Sequence, residues 1–312
     1  MNFEENNPQN IDDSTVFAIL RNIFPDIKQS EISFYYHGTY NVFMVKENYI
    51  FRFPDSSLFN EKGFRLIKQE KEILEQLAPL LPLQVPEPEF VSVDPVKPFI
   101  GYKKIPGLSM SRCFAQVPET EYGTLGESIG NFLSTLHSPK IAEKYAKAFN
   151  VELPADGLKF RRFWEKQYHI YQEDIFYLLS NEQQKWVRKL FEDFLSEREN
   201  FYFKPCVCHC DFDTSNILVQ PEKNFKVSGI IDFEETQIWD PAVDLLFYGK
   251  GKTFREVIFA NYKNELDKKL QDRTKFYAGR GGMCYILTGK NLKRPEMIEY
   301  GKELLNYYRK LF

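Results

Sequence analysis

Apolar positions along this chain recur at two different periods, and the switch between them divides it. Over residues 12–24, Val16, Ile19, Leu20 and Ile23 follow helical spacing, with Asp12, Asp13 and Ser14 as capping candidates and Pro25 as the stop. Runs rich in Tyr, Phe, Val and Ile then predict strands over 32–36, 40–46 and 49–53, joined by turns at His37-Gly38-Thr39 and Glu47-Asn48. Residues 62–77 read as an amphipathic helix through Phe64, Ile67, Ile73, Leu74 and Leu77. Pro79, Pro82, Pro86 and Pro88 predict an extended stretch, followed by strands over 90–93 and 99–102 and a linker at Ile105-Pro106-Gly107. Beyond the linker the helical period takes over, at 122–137, 160–179 and 181–198. A strand-rich block over 206–233 interrupts it before mostly helical sequence runs to Phe312. A strand-rich first third and a helix-rich remainder predict a bilobal α+β plan.

Composition narrows the function classes. A chain of 312 residues suits two packed lobes rather than one core. Hydrophobic residues at 43 % and charged residues at 27 % are the balance of a globular protein. The net charge of −3 and the absence of a basic stripe exclude a nucleic-acid partner. No apolar run approaches the roughly 18 residues that span a bilayer, so no membrane partner is expected. Residues 1–14 are acidic and amide-rich, the reverse of a secretory leader, and the expected compartment is the cytoplasm. Cys206, Cys208 and Cys210 alternate with Val207 and His209, which on a strand puts the three thiols on one face. No second Cys pair follows, and the expectation is buried, reduced thiols rather than a zinc site.

The chemistry concentrates in the strand-rich block. His209-Cys210-Asp211-Phe212-Asp213-Thr214-Ser215-Asn216 fits H-x-D-x-x-x-x-N, and Asp232 closes an apolar run sixteen residues after Asn216. Phosphoryl transfer needs a group that orients and deprotonates a hydroxyl, and hard oxygen ligands for Mg²⁺ against the phosphates. Asp211 suits the first task, while Asn216 and Asp232 suit the second. Asp213 competes with Asp211 as the base, and the spacing to Asn216 selects Asp211. Residues 217–219 and 227–231 read as a hairpin whose ends bring Asp211, Asn216 and Asp232 to one mouth.

With Asp240-Pro241-Ala242-Val243-Asp244-Leu245 matching D-P-x-x-D-L, these motifs resemble the aminoglycoside phosphotransferases. These are protein-kinase-like small-molecule kinases whose relatives include choline, homoserine and macrolide kinases. The resemblance implies a protein-kinase-like fold with a small antiparallel-sheet N-lobe (1–101), a hinge (102–107) and a larger, mostly helical C-lobe (108–312). It implies Mg²⁺, and ATP or GTP as donor to a small-molecule acceptor. Asp211 would be the catalytic base and Asn216 and Asp232 the metal ligands, with His209 and Asp244 as structural support. On the nucleotide side it implies Gly38 in the phosphate-covering turn and Arg52 where most members carry lysine. Glu70 would be the helical partner of Arg52, and Tyr102, Lys103 and Lys104 would lie at the hinge. Lys46 is a weaker substitute for Arg52. A bulky aromatic such as Tyr102 accompanies guanine-nucleotide use in some relatives.

Glu234, Glu235 and Asp213 are the acceptor-side acids that the resemblance implies. The layout is nearest the 2″-type antibiotic kinases, yet residues 280–291, where those carry further acids, contain none here. That leaves a kinase of another small alcohol open. A nucleotide-binding pseudokinase scaffold is the third reading, and the complete Asp211, Asn216 and Asp232 set argues against it. No A-P-E element of a protein kinase follows.

Overall fold

The computed structural model describes residues 8, 10–55 and 63–312. In chain order the described elements begin with α1 (Asp13–Ile23), β1 (Ile32–His37), β2 (Tyr40–Val45), β3 (Tyr49–Pro54), α2 (Gly63–Leu77), β4 (Pro88–Ser92) and β5 (Phe99–Lys103). After β6 (Leu108–Ser109) come α3 (Met110–Cys113), α4 (Tyr122–Leu136), α5 (Pro139–Phe149), α6 (Leu158–Asp174) and α7 (Asn181–Ser196). Then follow β7 (Cys206–Cys208), β8 (Ile217–Gln220), β9 (Lys226–Ile230), β10 (Gln237–Trp239), α8 (Lys252–Asn261), α9 (Leu270–Asn291) and α10 (Pro295–Leu311). The α+β class holds. Lys62, where the second helix was expected to start, lies outside the described residues.

The chain divides into two compact units. One comprises the described residues through Gln116 together with Thr214–Thr236; the other comprises Val117–Asp213 and Gln237–Phe312. The first carries a five-stranded antiparallel sheet of order β1-β2-β3-β5-β4. Lys46 and Glu47 both have positive φ, 49° and 58°, which gives the β2–β3 turn the double left-handed twist of a tight hairpin. Alternation along β2 feeds two cores. Phe43 and Val45 pack with Phe51, Phe53 and the buried Val16, Ile19 and Leu20 of α1. Tyr40 and Val42 pack with Ile50, Ile67 of α2, Ile100 and Tyr102 on the other face. Burial on both faces explains why this segment is so aromatic, with Phe51 stacked on Phe90 at 5.6 Å.

A three-stranded sheet of order β6-β8-β9 completes that unit. Gly107 precedes β6 at φ +123°, and a Cβ there would stand 2.6 Å from the Val219 carbonyl oxygen, so only glycine serves. The second unit is mostly helical and contains the two-stranded β10–β7 pair. Its α5 was not expected from periodicity. Ser138 caps it through the Ile141 N–H, Pro139 opens it, and Asn150 ends it at φ 51°. The helix expected over 160–179 instead starts at Leu158, ends at Asp174 and passes into a 3-10 turn over Phe176–Leu178.

Candidate functional site

In the first unit, β3 and α2 set up a buried ionic hub. Arg52 on β3 is 5 % exposed and Glu70 on α2 is fully buried. Arg52 Nη1 donates to both Glu70 carboxylate oxygens, at 2.7 and 2.9 Å, while Nη2 donates to Asp232 Oδ1 at 2.7 Å. Glu234 Oε2 lies 3.6 Å from the same guanidinium, and the Tyr40 ring lies beneath it, 4.1 Å from ring centroid to Cζ. Tyr40 Oη donates to Glu234. Burial and the neighbouring Asp232 push the Glu234 carboxyl up to about 8, with Arg52 opposing them. Burial lowers the Arg52 guanidinium, but Glu70 and Asp232 outweigh it and hold the charge on.

The β8–β9 hairpin positions Asn216 and Asp232, the two residues singled out from the sequence as oxygen ligands. Ile217 faces Ile230, so Asn216 and Ile231 lie just beyond the same end of the ladder, where the Ile231 N–H donates to the Asn216 carbonyl at 3.0 Å. Asp232 follows with φ 72°, a backbone conformation that most non-glycine residues avoid and that marks constrained functional turns. An amide oxygen and a carboxylate at one hairpin end are a hard donor set that fits Mg²⁺. Alongside runs a cavity lined by Arg52, Asp232, Tyr102, Lys104, Ile50 and Leu218, among others. Tyr102 and Lys104 thus reach this cavity. Lys103 does not line it: exposed, it pairs with Glu89 at 3.2 Å. Gly38 stands in the β1–β2 turn with ordinary space around its Cα. The buried His37–Asp55 pair at 2.9 Å braces that turn, a contact invisible in the sequence pattern. Glu235 is exposed.

In the second unit, β7 delivers the H-x-D segment. His209 is fully buried, its ring edge-on to Phe212, which in turn stacks on Phe132. Cys210 has φ 68°, so the strand alternation ends at Cys208 and the third thiol leaves the shared face. The Asp213 N–H donates to the Asp211 carbonyl at 3.0 Å and closes a tight turn. Asp244 is fully buried, and its carboxylate accepts the N–H groups of His209 at 2.7 Å and Cys210 at 2.9 Å, as well as the His137 ring at 3.0 Å. Asp240 accepts from the Ala242 N–H and from buried Arg273 Nε at 2.7 Å, while Arg273 forks onto Asp267 at 2.7 and 2.8 Å. Residues 280–291 form the second half of α9. There burial raises the Tyr285 phenol, and the charges of Tyr300, Asp211 and Asp213 add to the effect.

Residues 31–277 match the profile of the phosphotransferase enzyme family, APH. The chain belongs to that family. Among solved structures it is similar to the GDP complex of aminoglycoside 2′-phosphotransferase-IIIa, with a TM-score of 0.83 at 20 % identity over 97 % of this chain and 100 % of that one. It is also similar to ADP-bound aminoglycoside phosphotransferase APH(2″)-Ib, with a TM-score of 0.70 at 21 % identity over 94 % and 97 %. Macrolide 2′-phosphotransferase MphH from Brachybacterium faecium aligns with a TM-score of 0.72 at 16 % identity over 93 % and 98 %. These likenesses give this phosphotransferase a kinase-like fold.

Of the residues singled out from the sequence, this phosphotransferase brings Arg52, Glu70, Asp232 and Glu234 together in one unit. It holds His209, Cys210 and Asp244 together in the other. Sequence reasoning missed Tyr40, His137 and Arg273. Each is an ordinary-looking member of a strand or helix whose role depends on a partner far away in the chain, 194 residues for Tyr40. Among the described residues, no helix is long and apolar enough to cross a membrane.

Proposed function

We propose that this phosphotransferase moves the γ-phosphoryl group of ATP or GTP to a hydroxyl of an aminoglycoside-like acceptor. The observation that carries this reading is the Arg52 hub. A basic side chain locked between a helical glutamate and a metal-side aspartate is what nucleotide phosphoryl transfer requires. Kinases use lysine there; the guanidinium fork serves both acids and stays charged. Asp211 takes the proton of the acceptor hydroxyl. The freed oxygen bonds to the γ-phosphorus, the bond from that phosphorus to the β,γ-bridging oxygen breaks, and the nucleoside diphosphate leaves with its electron pair. Asn216 and Asp232 would hold Mg²⁺, which would supply neutralisation of charge on the phosphate oxygens. Tyr40 and Arg52 hold the Glu234 carboxylate in place, beside the guanidinium that also partners Asp232.

One observation favours a second acceptor class. Tyr285 of α9 and Tyr300 of α10 meet edge to face at 4.9 Å, and residues 280–291 carry no acid. Such a wall suits an acceptor with an apolar face, as in a macrolide. The discriminating experiment measures nucleoside diphosphate release with aminoglycosides, macrolides, choline and homoserine in parallel. Stimulation above water by an aminoglycoside supports the first reading, and stimulation by a macrolide alone supports the second. No stimulation by any alcohol, with tight nucleotide binding, would favour the scaffold.

The metal assignment gives a direct result. Asp232→Ala removes the Mg²⁺ dependence of binding of a non-hydrolysable nucleotide in calorimetric titration; equal, Mg²⁺-sensitive affinity in variant and parent would reject it. Tyr102 addresses the nucleotide base. It is 5 % exposed and lines the cavity, taking room that adenine would use. GTP is therefore used at least as well as ATP, and Tyr102→Met raises kcat/KM for ATP selectively, by about 10- to 200-fold at most. A parent strongly selective for ATP and a variant unchanged would show Tyr102 to be a packing residue.

A further inference from the structure

The three buried side chains His137, Cys206 and Cys208 form a cluster that phosphoryl transfer does not use. Cys206 is 5 % exposed and Cys208 not at all, on the same face of β7 with their sulfurs 3.6 Å apart. Disulfide-bonded sulfurs would stand about 2.05 Å apart. Two thiolates on one tetrahedral ion, with bonds of about 2.3 Å, stand about 3.8 Å apart, close to the separation already present. One ring nitrogen of His137 and the two sulfurs all lie within 4.8 Å of one another.

Hydrogen-bond partners on both ring nitrogens fix the orientation of His137. Asp244 already accepts two backbone N–H groups, so its carboxylate acts as an acceptor, and His137 Nε2 carries the proton toward it. Nδ1 meets the Tyr262 hydroxyl at 2.9 Å and would offer its lone pair to an ion in the neutral ring. A carboxylate on one nitrogen and an ion on the other is the usual setting of a metal-binding histidine. A cavity of about 460 Å³ lined by His137, Cys206 and Tyr262 supplies a route and room for a fourth ligand.

We propose that His137, Cys206 and Cys208 form a site for a thiophilic ion, Zn²⁺ or one like it, directly preceding the segment that carries Asp211. Two thiolates and one imidazole are the soft donor set that Zn²⁺ and Cd²⁺ prefer, in contrast to the oxygen pair Asn216 and Asp232. On binding, both thiols lose their protons to solvent, and two S–metal bonds and one N–metal bond form. The ion exchanges the Nδ1 contact with Tyr262 for a bond to itself, while Nε2 stays on Asp244. That carboxylate also holds the His209 and Cys210 N–H groups, so occupancy is felt by the loop next to Asp211.

The test uses the full chain, reduced and stripped of metal, without nucleotide. Titration with Cd²⁺ is expected to give an ultraviolet thiolate-to-metal charge-transfer band that saturates at a single ion per chain. Cys206→Ser and Cys208→Ser each weaken it by about 10- to 100-fold or more, whereas Cys113→Ser and Cys284→Ser leave it intact. Buried serines threaten the fold, so a second measurement uses the unaltered protein. In mild denaturant, where the buried thiols open transiently, Zn²⁺ should slow alkylation of Cys206 and Cys208 but not of Cys284, as mapped by peptide mass spectrometry. Absence of the band, or protection confined to Cys113, Cys210 or Cys284, would overturn the site.

Discussion

Replacing Asp211 with asparagine lowers kcat by about 10²- to 10⁴-fold and leaves nucleotide affinity unchanged. The substitution keeps the side chain's shape but replaces the carboxylate, the proposed proton acceptor, with an amide that cannot take a proton. The loop itself is held by other residues: Asp244 fixes the His209 and Cys210 N–H groups, and Phe212 packs on Phe132. Those contacts hold the loop through other groups, so the loss is expected on the chemical step. Nucleotide hydrolysis with water as acceptor reads it without knowledge of the acceptor, and calorimetry reads the affinity. Asp213→Asn is the control, because Asp213 is also a carboxylate and lies only two residues away. If Asp213→Asn proved the more damaging variant, the base would be Asp213.

Arg52→Met destabilises the protein by about 3–5 kcal/mol and removes nucleotide binding with it. Glu70 is fully buried, and Arg52 is its bidentate partner, so removing the guanidinium strands a carboxylate away from water. Asp232 loses its 2.7 Å contact in the same step. The denaturation midpoint measures the effect, and a loss below about 1 kcal/mol would mean that the hub carries no structural weight. The double variant Arg52→Met/Glu70→Met recovers most of the stability, because neither charge remains, yet nucleotide binding stays lost. Arg52→Lys is the informative intermediate. One ammonium centre cannot reproduce Nη1 on Glu70 together with Nη2 on Asp232, so stability falls less than with methionine while the geometry at Asp232 loosens.

Much of the local architecture was legible in the sequence, because it depends on neighbours two to four residues apart. The apolar spacing of α1 and α2, the alternation in β1 to β3, and the switch to helical period after the linker follow directly from strand and helix geometry. The order of H-x-D, Asn216, Asp232 and D-P-x-x-D pointed to the family that the profile match over residues 31–277 shows. Local spacing could also suggest Glu70 as a partner for Arg52 through resemblance, and the two do meet.

Tertiary structure decided which charge each side chain serves. Arg52 and Asp232 are 180 residues apart, and only the packing of the β8–β9 hairpin into the first unit makes them a pair. Glu234 and Glu235 are adjacent and chemically alike, yet one is enclosed by Tyr40 and Arg52 and the other faces solvent. The same holds for Lys103 and Lys104, of which one joins Glu89 and the other lines the cavity. His137 reads as the last residue of an amphipathic helix until Asp244, 107 residues on, accepts from its ring. Periodicity fixes the face of a helix or strand on which a side chain lies, whereas its partner is set by which other faces the chain folds against it, and that is a property of long-range packing alone.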